Sequence, residues 1–107
     1  MKEMMVVTIP NIPGQNFEVL GLVKGSTVQS KNAVRDLTSS LKTFVGGELK
    51  AYTEMLNEAR EVAMQRMIEE AKSLGADAVV GFHLQSSSAT SGSSEIVAYG
   101  TAVKFAL

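Results

Sequence analysis

Four polar side chains of this 107-residue chain could together form a ligand site. The set consists of Arg35, Asp36, Tyr52 and Arg60. Each arginine can hold a carboxylate or a phosphate through paired hydrogen bonds, and the tyrosine hydroxyl can donate a further one. We therefore predict a ligand site at these residues. The alternative interpretation is a structural network that ties two helices together or bridges subunits.

Metal binding is the second chemistry to consider. Soft heavy metals prefer thiolate and imidazole ligands, but the chain has no cysteine and a single histidine, His83. One subunit therefore cannot supply a soft-metal site alone, although several copies could bring histidine or methionine side chains together. We interpret His83 itself as a hydrogen-bonded structural residue. Glu54, Glu58 and Glu61 lie on one helical face and could bind a hard cation, the alternative being a solvated acidic stripe.

Catalytic motifs are not recognisable in this sequence. No serine or threonine has an identifiable base partner, and the glycine pair Gly46-Gly47 is followed by Glu48 rather than by Lys-Ser or Lys-Thr. The sequence therefore identifies no cofactor and no reaction. An enzyme is therefore the less favoured class.

Composition and charge narrow the range of partners. Apolar residues make up 45% of the chain and charged residues 20%, and the net charge is −1. We expect one globular domain, residues 1–107, with no electrostatic reason to bind nucleic acid or an anionic membrane. The N-terminal run is too short and too soon interrupted by Pro10 to be a signal peptide or a membrane span, so we expect a cytoplasmic location.

One long helix organises the predicted fold. No proline or glycine lies between Gly47 and Gly75, and strong helix formers dominate this stretch. Its apolar residues recur at spacings of three and four, which favours either a wide core face or a core face with a second contact surface for another subunit. Residues 31–45 keep the same spacing and predict a shorter helix before it.

Four apolar runs predict strands. Each of the last three has apolar residues in both alternating sets, which is typical of strands covered on both faces. We interpret residues 25–30 as a polar connection and the serine-rich residues 86–94 as a mobile hairpin loop. The strands are predicted at residues 4–9 (an edge strand or an arm), 17–24, 78–84 and 95–105.

These elements predict an α+β fold with two layers. The last strand slots between the other two main strands, giving a three-stranded, mainly antiparallel βαββ sheet with one long helix on one face. Gly21, Gly81 and Gly100 could line up as a furrow for the helix. The opposite face would expose several apolar side chains. The shorter first helix could cover part of this face, but we expect other copies of the chain to help cover it. The exposed set includes Val97, Tyr99, Val103 and Phe105.

Five short motifs carry a resemblance that runs over nearly the whole chain. They are NAVRDL, VGGELKAY, LNEAREVA, LGADAVVGF and YGTAVK. In order and spacing these motifs resemble the YbjQ family of small bacterial and archaeal proteins, which is catalogued as heavy-metal-binding and whose members are largely uncharacterised. The resemblance implies a dodecin-like βαββ unit, with a short extra N-terminal strand, assembled into a pentameric ring. The family commonly has a basic residue where this chain has Glu48, which argues against an anion cradle at the glycine pair.

Residues and resemblance together favour a non-enzymatic homo-oligomer that binds a metal ion or a small anionic ligand at subunit interfaces. The first alternative is an enzyme with an inter-subunit site around Arg35, Asp36, Tyr52 and Arg60. The second is a purely structural ring.

Overall fold

The structure, a computed structural model, describes residues 3–30, 47–90 and 93–106. The helix predicted at residues 31–45 lies outside the described residues. The described elements are four strands and one helix: β1 (Met5–Val6), β2 (Phe17–Ser30), α1 (Gly47–Ser73), β3 (Ala78–Thr90) and β4 (Ser93–Phe105). The fold is therefore α+β, as predicted.

The sheet is mixed and has the order β1-β3-β4-β2. Strand β4 is antiparallel to both of its neighbours, so the predicted placement of the last strand between the other two is confirmed. The predicted number of strands was wrong, because β1 pairs in parallel with β3 and makes a fourth. The N-terminal segment continues along β3 beyond β1: the Val7 amide donates to the Val79 carbonyl at 2.9 Å, and the Phe82 amide donates to the Val7 carbonyl at 3.0 Å.

The strands extend well beyond their predicted ends. Serine-rich residues predicted as a loop belong to the ladder, with Ser86 opposite Ile96 and Ser87 opposite Glu95. Residues 25–30, predicted as a connection, pair with β4 as part of β2. Small polar side chains are typical of loops, but the ladder bonds come from the backbone and do not require apolar side chains. A prediction based on composition therefore placed the ends of these strands incorrectly.

Helix α1 packs on one face of the sheet along a buried stripe of three alanines and one methionine. Ala59, Ala63, Met67 and Ala71 recur every four residues and are 0–3% exposed. Opposite them lie side chains of β2, β3 and β4 that alternate along each strand, including Val23, Val79, Ile96, Ala98 and Ala102. Met67 belongs to this core, and Met64 and Ile68 pack against it. The wide apolar side of α1 thus packs against the core of its own chain.

The exit from α1 is set by Gly75. This residue has φ of 81°, a left-handed conformation that glycine adopts without strain. The Gly75 amide donates to the Lys72 carbonyl at 3.0 Å, and the Ala76 amide donates to the Ala71 carbonyl at 3.1 Å. These two bonds form a Schellman motif, which satisfies carbonyls at the helix end and turns the chain into β3.

The close approach of helix and sheet occurs at Gly25, and the predicted glycine furrow was wrong. Gly21 pairs with Ala102, whereas Gly100 pairs with Val23, so these two glycines are not aligned across the sheet. A Cβ on Gly25 would overlap the Ala63 carbonyl and the Met67 amide of α1. Glycine is therefore required where β2 passes beneath the helix backbone.

Candidate functional site

The sheet face opposite α1 is covered at one end by the chain itself. Ala78, Val80 and Val103 are at most 4% exposed there, and Val7 and Ile12 of the N-terminal segment pack against them. Phe17 and Phe105 join the same cluster. The prediction that this whole face is bare was therefore wrong for Val103 and Phe105. The reason is that the segment after β1 folds back over the ends of the strands.

Beyond that cluster, the remainder of this surface, which we call the open face, carries a row of three chemically active side chains. The register places Lys24 of β2 and His83 of β3 on either side of Tyr99 of β4. His83 and Lys24 are exposed, and Tyr99 is half-buried. The imidazole and phenol rings are stacked, with centroids 5.6 Å apart and planes inclined by 16°. The row is thus a basic and aromatic surface on the part of the sheet that no other described element covers.

A local irregularity in β3 fixes the orientation of His83. The register of the ladder shifts between Val80 and His83, and the Gly81 carbonyl lies 2.9 Å from His83 Nδ1. A carbonyl oxygen can only accept a hydrogen bond, so Nδ1 is the nitrogen that carries the proton. In the neutral imidazole, Nε2 then has a free lone pair. A metal-ligating histidine commonly has this arrangement, with its other ring nitrogen bonded to a backbone carbonyl.

The hydrogen bond predicted for His83 is present, but sequence reasoning missed Tyr99 as its partner. Tyr99 was identified only as an apolar residue of the exposed face. The register of the β3–β4 hairpin is the signal that could have paired His83 with Tyr99. The irregularities in β3 shift this register, so it cannot be counted from the turn. Gln85 follows His83 by two residues on the same face and is also exposed.

The four residues of the predicted anion site are only partly within the described structure. Arg35 and Asp36 lie outside the described residues. Tyr52 and Arg60 both belong to α1, eight residues apart, a rise of about 12 Å along a helix axis. The Arg60 guanidinium is exposed and donates to the Asn57 side-chain oxygen at 3.0 Å. The described geometry does not place Tyr52 and Arg60 on adjoining turns, and the site stays a prediction.

Within one chain, the described residues contain no group of three or more histidine, aspartate or glutamate side chains placed to hold a metal ion. Glu54, Glu58 and Glu61 are exposed on α1. A single imidazole leaves most of a metal's coordination positions to other ligands, because structural zinc sites have four. A complete site around His83 therefore needs donors from a further copy or from solvent.

Asp77, which belongs to a family-like motif, has a structural contact. Its carboxylate accepts a hydrogen bond from the Phe105 amide at 2.8 Å, and its own amide donates to the Val103 carbonyl at 2.8 Å. The residue thus joins the entry of β3 to the end of β4. This explains its position in the sequence without any ligand.

Helix α1, the helix in the described part of the chain, does not combine the length and the apolar composition needed to cross a membrane.

Comparisons with known proteins give one consistent family. A family model described as "Putative heavy-metal-binding" (YbjQ) matches residues 4–106. A UPF0145 protein of Clostridium novyi (strain NT) is 57% identical over 101 residues, covering 94% of this chain and 98% of the relative. A UPF0145 protein of Thermotoga maritima is 53% identical over 102 residues, covering 94% and 96%.

One solved structure supports the fold. It is a crystal structure of a protein with unknown function from Pediococcus pentosaceus ATCC 25745, described as belonging to the DUF74 family. It superposes with a TM-score of 0.67 at 13% identity and covers 96% of this chain and 98% of its own. At that identity the likeness concerns the fold alone.

Proposed function

This chain belongs to the YbjQ family, whose model is described as heavy-metal-binding, and from that premise we propose that it is a non-enzymatic homo-oligomer that binds a metal ion between its copies. Each copy contributes the Nε2 atom of His83 from the open face. The number of copies implied by the family resemblance is five.

The orientation of His83 is the observation that carries the proposal. Its Nδ1 atom lies 2.9 Å from the Gly81 carbonyl, which leaves Nε2 as the ring nitrogen that is free of this bond on an exposed side chain. Stacking on Tyr99 restricts the ring plane further. A ligand whose tautomer and orientation are fixed in advance loses little conformational entropy when it binds a metal.

The apolar part of the open face supports the proposed assembly. Val19, Leu22 and Val28 of β2 are 63–67% exposed. Strand β2 ends the sheet, so within the described residues its outer edge has no neighbouring strand. Long edge strands with exposed apolar side chains are ready to pair with another chain. The net charge of −1 opposes association between copies only weakly.

A second copy is the partner that fits this surface. On the far side of the sheet, β1 is only two residues long, so the outer edge of β3 after Phe82 has no neighbouring strand among the described residues either. Within the described part of the chain the sheet thus has two edges without a neighbouring strand, and one edge of a copy can meet the other edge of the next. Such head-to-tail contacts close into rings when the rotation between copies allows it.

The metal prediction is tested with tag-free protein, since His83 is the single histidine. We expect the wild type to retain Zn²⁺ after buffer exchange, at fewer than one ion per chain because the ion is shared. His83→Gln should weaken binding at least tenfold, because it removes the imidazole ligand. Elemental analysis and isothermal titration measure both values. The matched control is Ser87→Ala, an exposed position on the same face of β3, which should retain most of the affinity.

Two outcomes would contradict the proposed metal function. One is a wild-type protein that holds no metal under these conditions. The other is a His83→Gln variant whose Zn²⁺ affinity equals that of the wild type. Light scattering on the same samples shows whether either variant has changed its assembly.

The assembly prediction uses Leu22→Glu. A carboxylate on the open face should weaken self-association by roughly tenfold or more, since it cannot be buried between copies without a partner. The fold of one chain should survive, because Leu22 is 67% exposed. Size-exclusion chromatography with light scattering over a dilution series measures the change. Gln65→Glu, which adds the same charge on the exposed side of α1, is the control. A wild-type monomer at micromolar concentration would refute the proposed assembly.

A further inference from the structure

We propose that Arg66 guards the outer edge of β2, so that a strand from a second copy of the chain cannot pair with residues 24–28. The inference goes beyond metal binding. It rests on the proposed assembly in one respect: it leaves the first half of β2, which carries the exposed Val19 and Leu22, for contacts between copies. Arg66 thereby restricts which part of β2 can meet a neighbouring copy.

The backbone groups of Ser26 point away from the rest of the sheet. In an antiparallel pair, the N–H and C=O groups of one residue point to the same side of the strand, and successive residues alternate. The Val103 carbonyl of β4 accepts from the Asp77 amide at the entry to β3, so Val103 points towards β3. Val97, six residues earlier, points the same way. Ser26 lies opposite Val97, and its groups therefore point outwards.

Lys24 and Val28 lie two residues on either side of Ser26 and share its direction. Within the described residues β2 ends the sheet, so these three residues, which we call the outer edge, have no strand beside them. From Gly25 to Ser30 the sequence has no charged residue and no proline, and Val28 is 63% exposed. Edge strands of this kind accept further strands unless charges or proline protect them. Beyond Lys24, the protection of the outer edge must therefore come from another element.

Arg66 of α1 supplies that protection. The helix passes closely over β2 at Gly25, where a Cβ on the glycine would lie 2.7 Å from Arg66 Cβ. The side chain therefore starts directly above the strand, and its Nη1 atom donates to the Ser26 carbonyl at 2.6 Å. This carbonyl is the central acceptor of the outer edge, and an added strand would need it for a ladder bond. Pairing at residues 24–28 therefore requires Arg66 to leave.

Charges around this contact oppose an added strand as well. A cleft of about 460 Å³ beside the outer edge has two basic and two acidic residues in its lining. They are Lys24, Arg66, Glu70 and Glu95. A strand that filled the cleft would remove these charges from water, and burying a charge is costly unless it is paired. The cleft thus reinforces the guard at the same end of β2.

The test is Arg66→Met, which keeps a helix-forming apolar side chain and removes the guanidinium. We expect this variant to form larger assemblies roughly tenfold or more faster than the wild type, since a charged hydrogen bond no longer occupies the edge. Light scattering at micromolar protein concentration measures the rate. Arg60→Met is the matched control, because it removes the same charge from a side chain that donates to Asn57 on its own helix. Arg66→Lys, whose ammonium can still donate to the Ser26 carbonyl, should restore most of the wild-type behaviour.

Hydrogen exchange separates loss of the guard from loss of stability. In the assemblies of Arg66→Met, the outward amides of Lys24, Ser26 and Val28 should exchange more slowly than in the wild type, because an added strand accepts their hydrogen bonds. Unchanged exchange at these amides would show that the assemblies form in another way, and it would overturn the proposal.

Two further results would also contradict the guard: assembly of Arg66→Met at the wild-type rate, and an equal acceleration in Arg60→Met. The wild-type protein in its own state, as a single chain or as an oligomer, is the reference for every variant. A wild-type monomer would therefore refute the proposed assembly and leave the result on Arg66 standing.

Discussion

Gly25→Ala is expected to destabilise the protein by about 3 kcal/mol, the upper part of the usual range for overpacking a core. The added methyl would overlap the Ala63 carbonyl and the Met67 amide, and it would lie 2.7 Å from Arg66 Cβ. Two of these contacts are backbone atoms of α1, so no rotamer change can relieve them. Relief requires the helix to move off the sheet, which would also separate the packed Val23 and Met67 side chains.

The measurement is urea unfolding of the variant and the wild type at equal protein concentration, because association would add to the apparent stability. A change of about 3 kcal/mol corresponds to roughly a hundredfold in the folding equilibrium. Ser26→Thr is the matched control: it adds one methyl to the next residue of the same strand, whose side chain faces away from α1. It should change stability by less than about 0.5 kcal/mol. Equal stability of Gly25→Ala and Ser26→Thr would show that helix and sheet are less closely apposed than the structure has them.

The long helix and the central position of β4 could be predicted because their signals extend over many residues. The spacing of the apolar residues predicted α1. Apolar residues on both faces of β4 predicted that this strand lies between two others. Gly75 marked the helix end because its left-handed conformation is one that few other residues adopt easily. Each of these signals is local and does not depend on register.

The pairing of β1 and the full lengths of β2, β3 and β4 could not be predicted from the sequence in the same way. Met5–Val6 is a two-residue strand that is held by backbone bonds to β3, which leave no pattern in the side chains. Ser86 and Ser87 are strand residues because β4 runs beside them. In both cases tertiary pairing overrides weak local preference.

The candidate site depended on register, which is why the sequence did not reveal it. Thr90 pairs with Ser93, and continuing that register for seven residues along each strand would place His83 opposite Gly100, on the face covered by α1. The irregularity between Ser88 and Thr90 shifts the register by one residue. A shift of one residue moves a side chain to the other face of a strand. His83 thereby lies beside Tyr99 on the open face.

Met67→Ala is expected to remove about 3 kcal/mol of stability, within the range for truncating a fully buried methionine. Met67 is the largest side chain with no exposed surface, and its neighbours on α1 are Ala63 and Ala71. Alanine has no rotamers with which to fill a cavity, so Ala63 and Ala71 cannot close the space left by the thioether. We therefore expect a loss of stability near the middle of this range rather than at its lower end.

Met67→Leu is the control for volume, since it keeps a side chain of similar size and should cost less than about 1.5 kcal/mol. Urea unfolding of both variants measures the difference, and equal losses would show that sulfur contacts rather than volume matter at this position. The same pair separates stability from function, because Met67 and His83 lie on opposite faces of the sheet. At a temperature where both variants are folded, their Zn²⁺ affinity should match the wild type within about twofold, as expected for distant sites whose effects add. A matching loss of metal affinity in Met67→Ala would instead show that the orientation of His83 depends on the packing beneath the sheet.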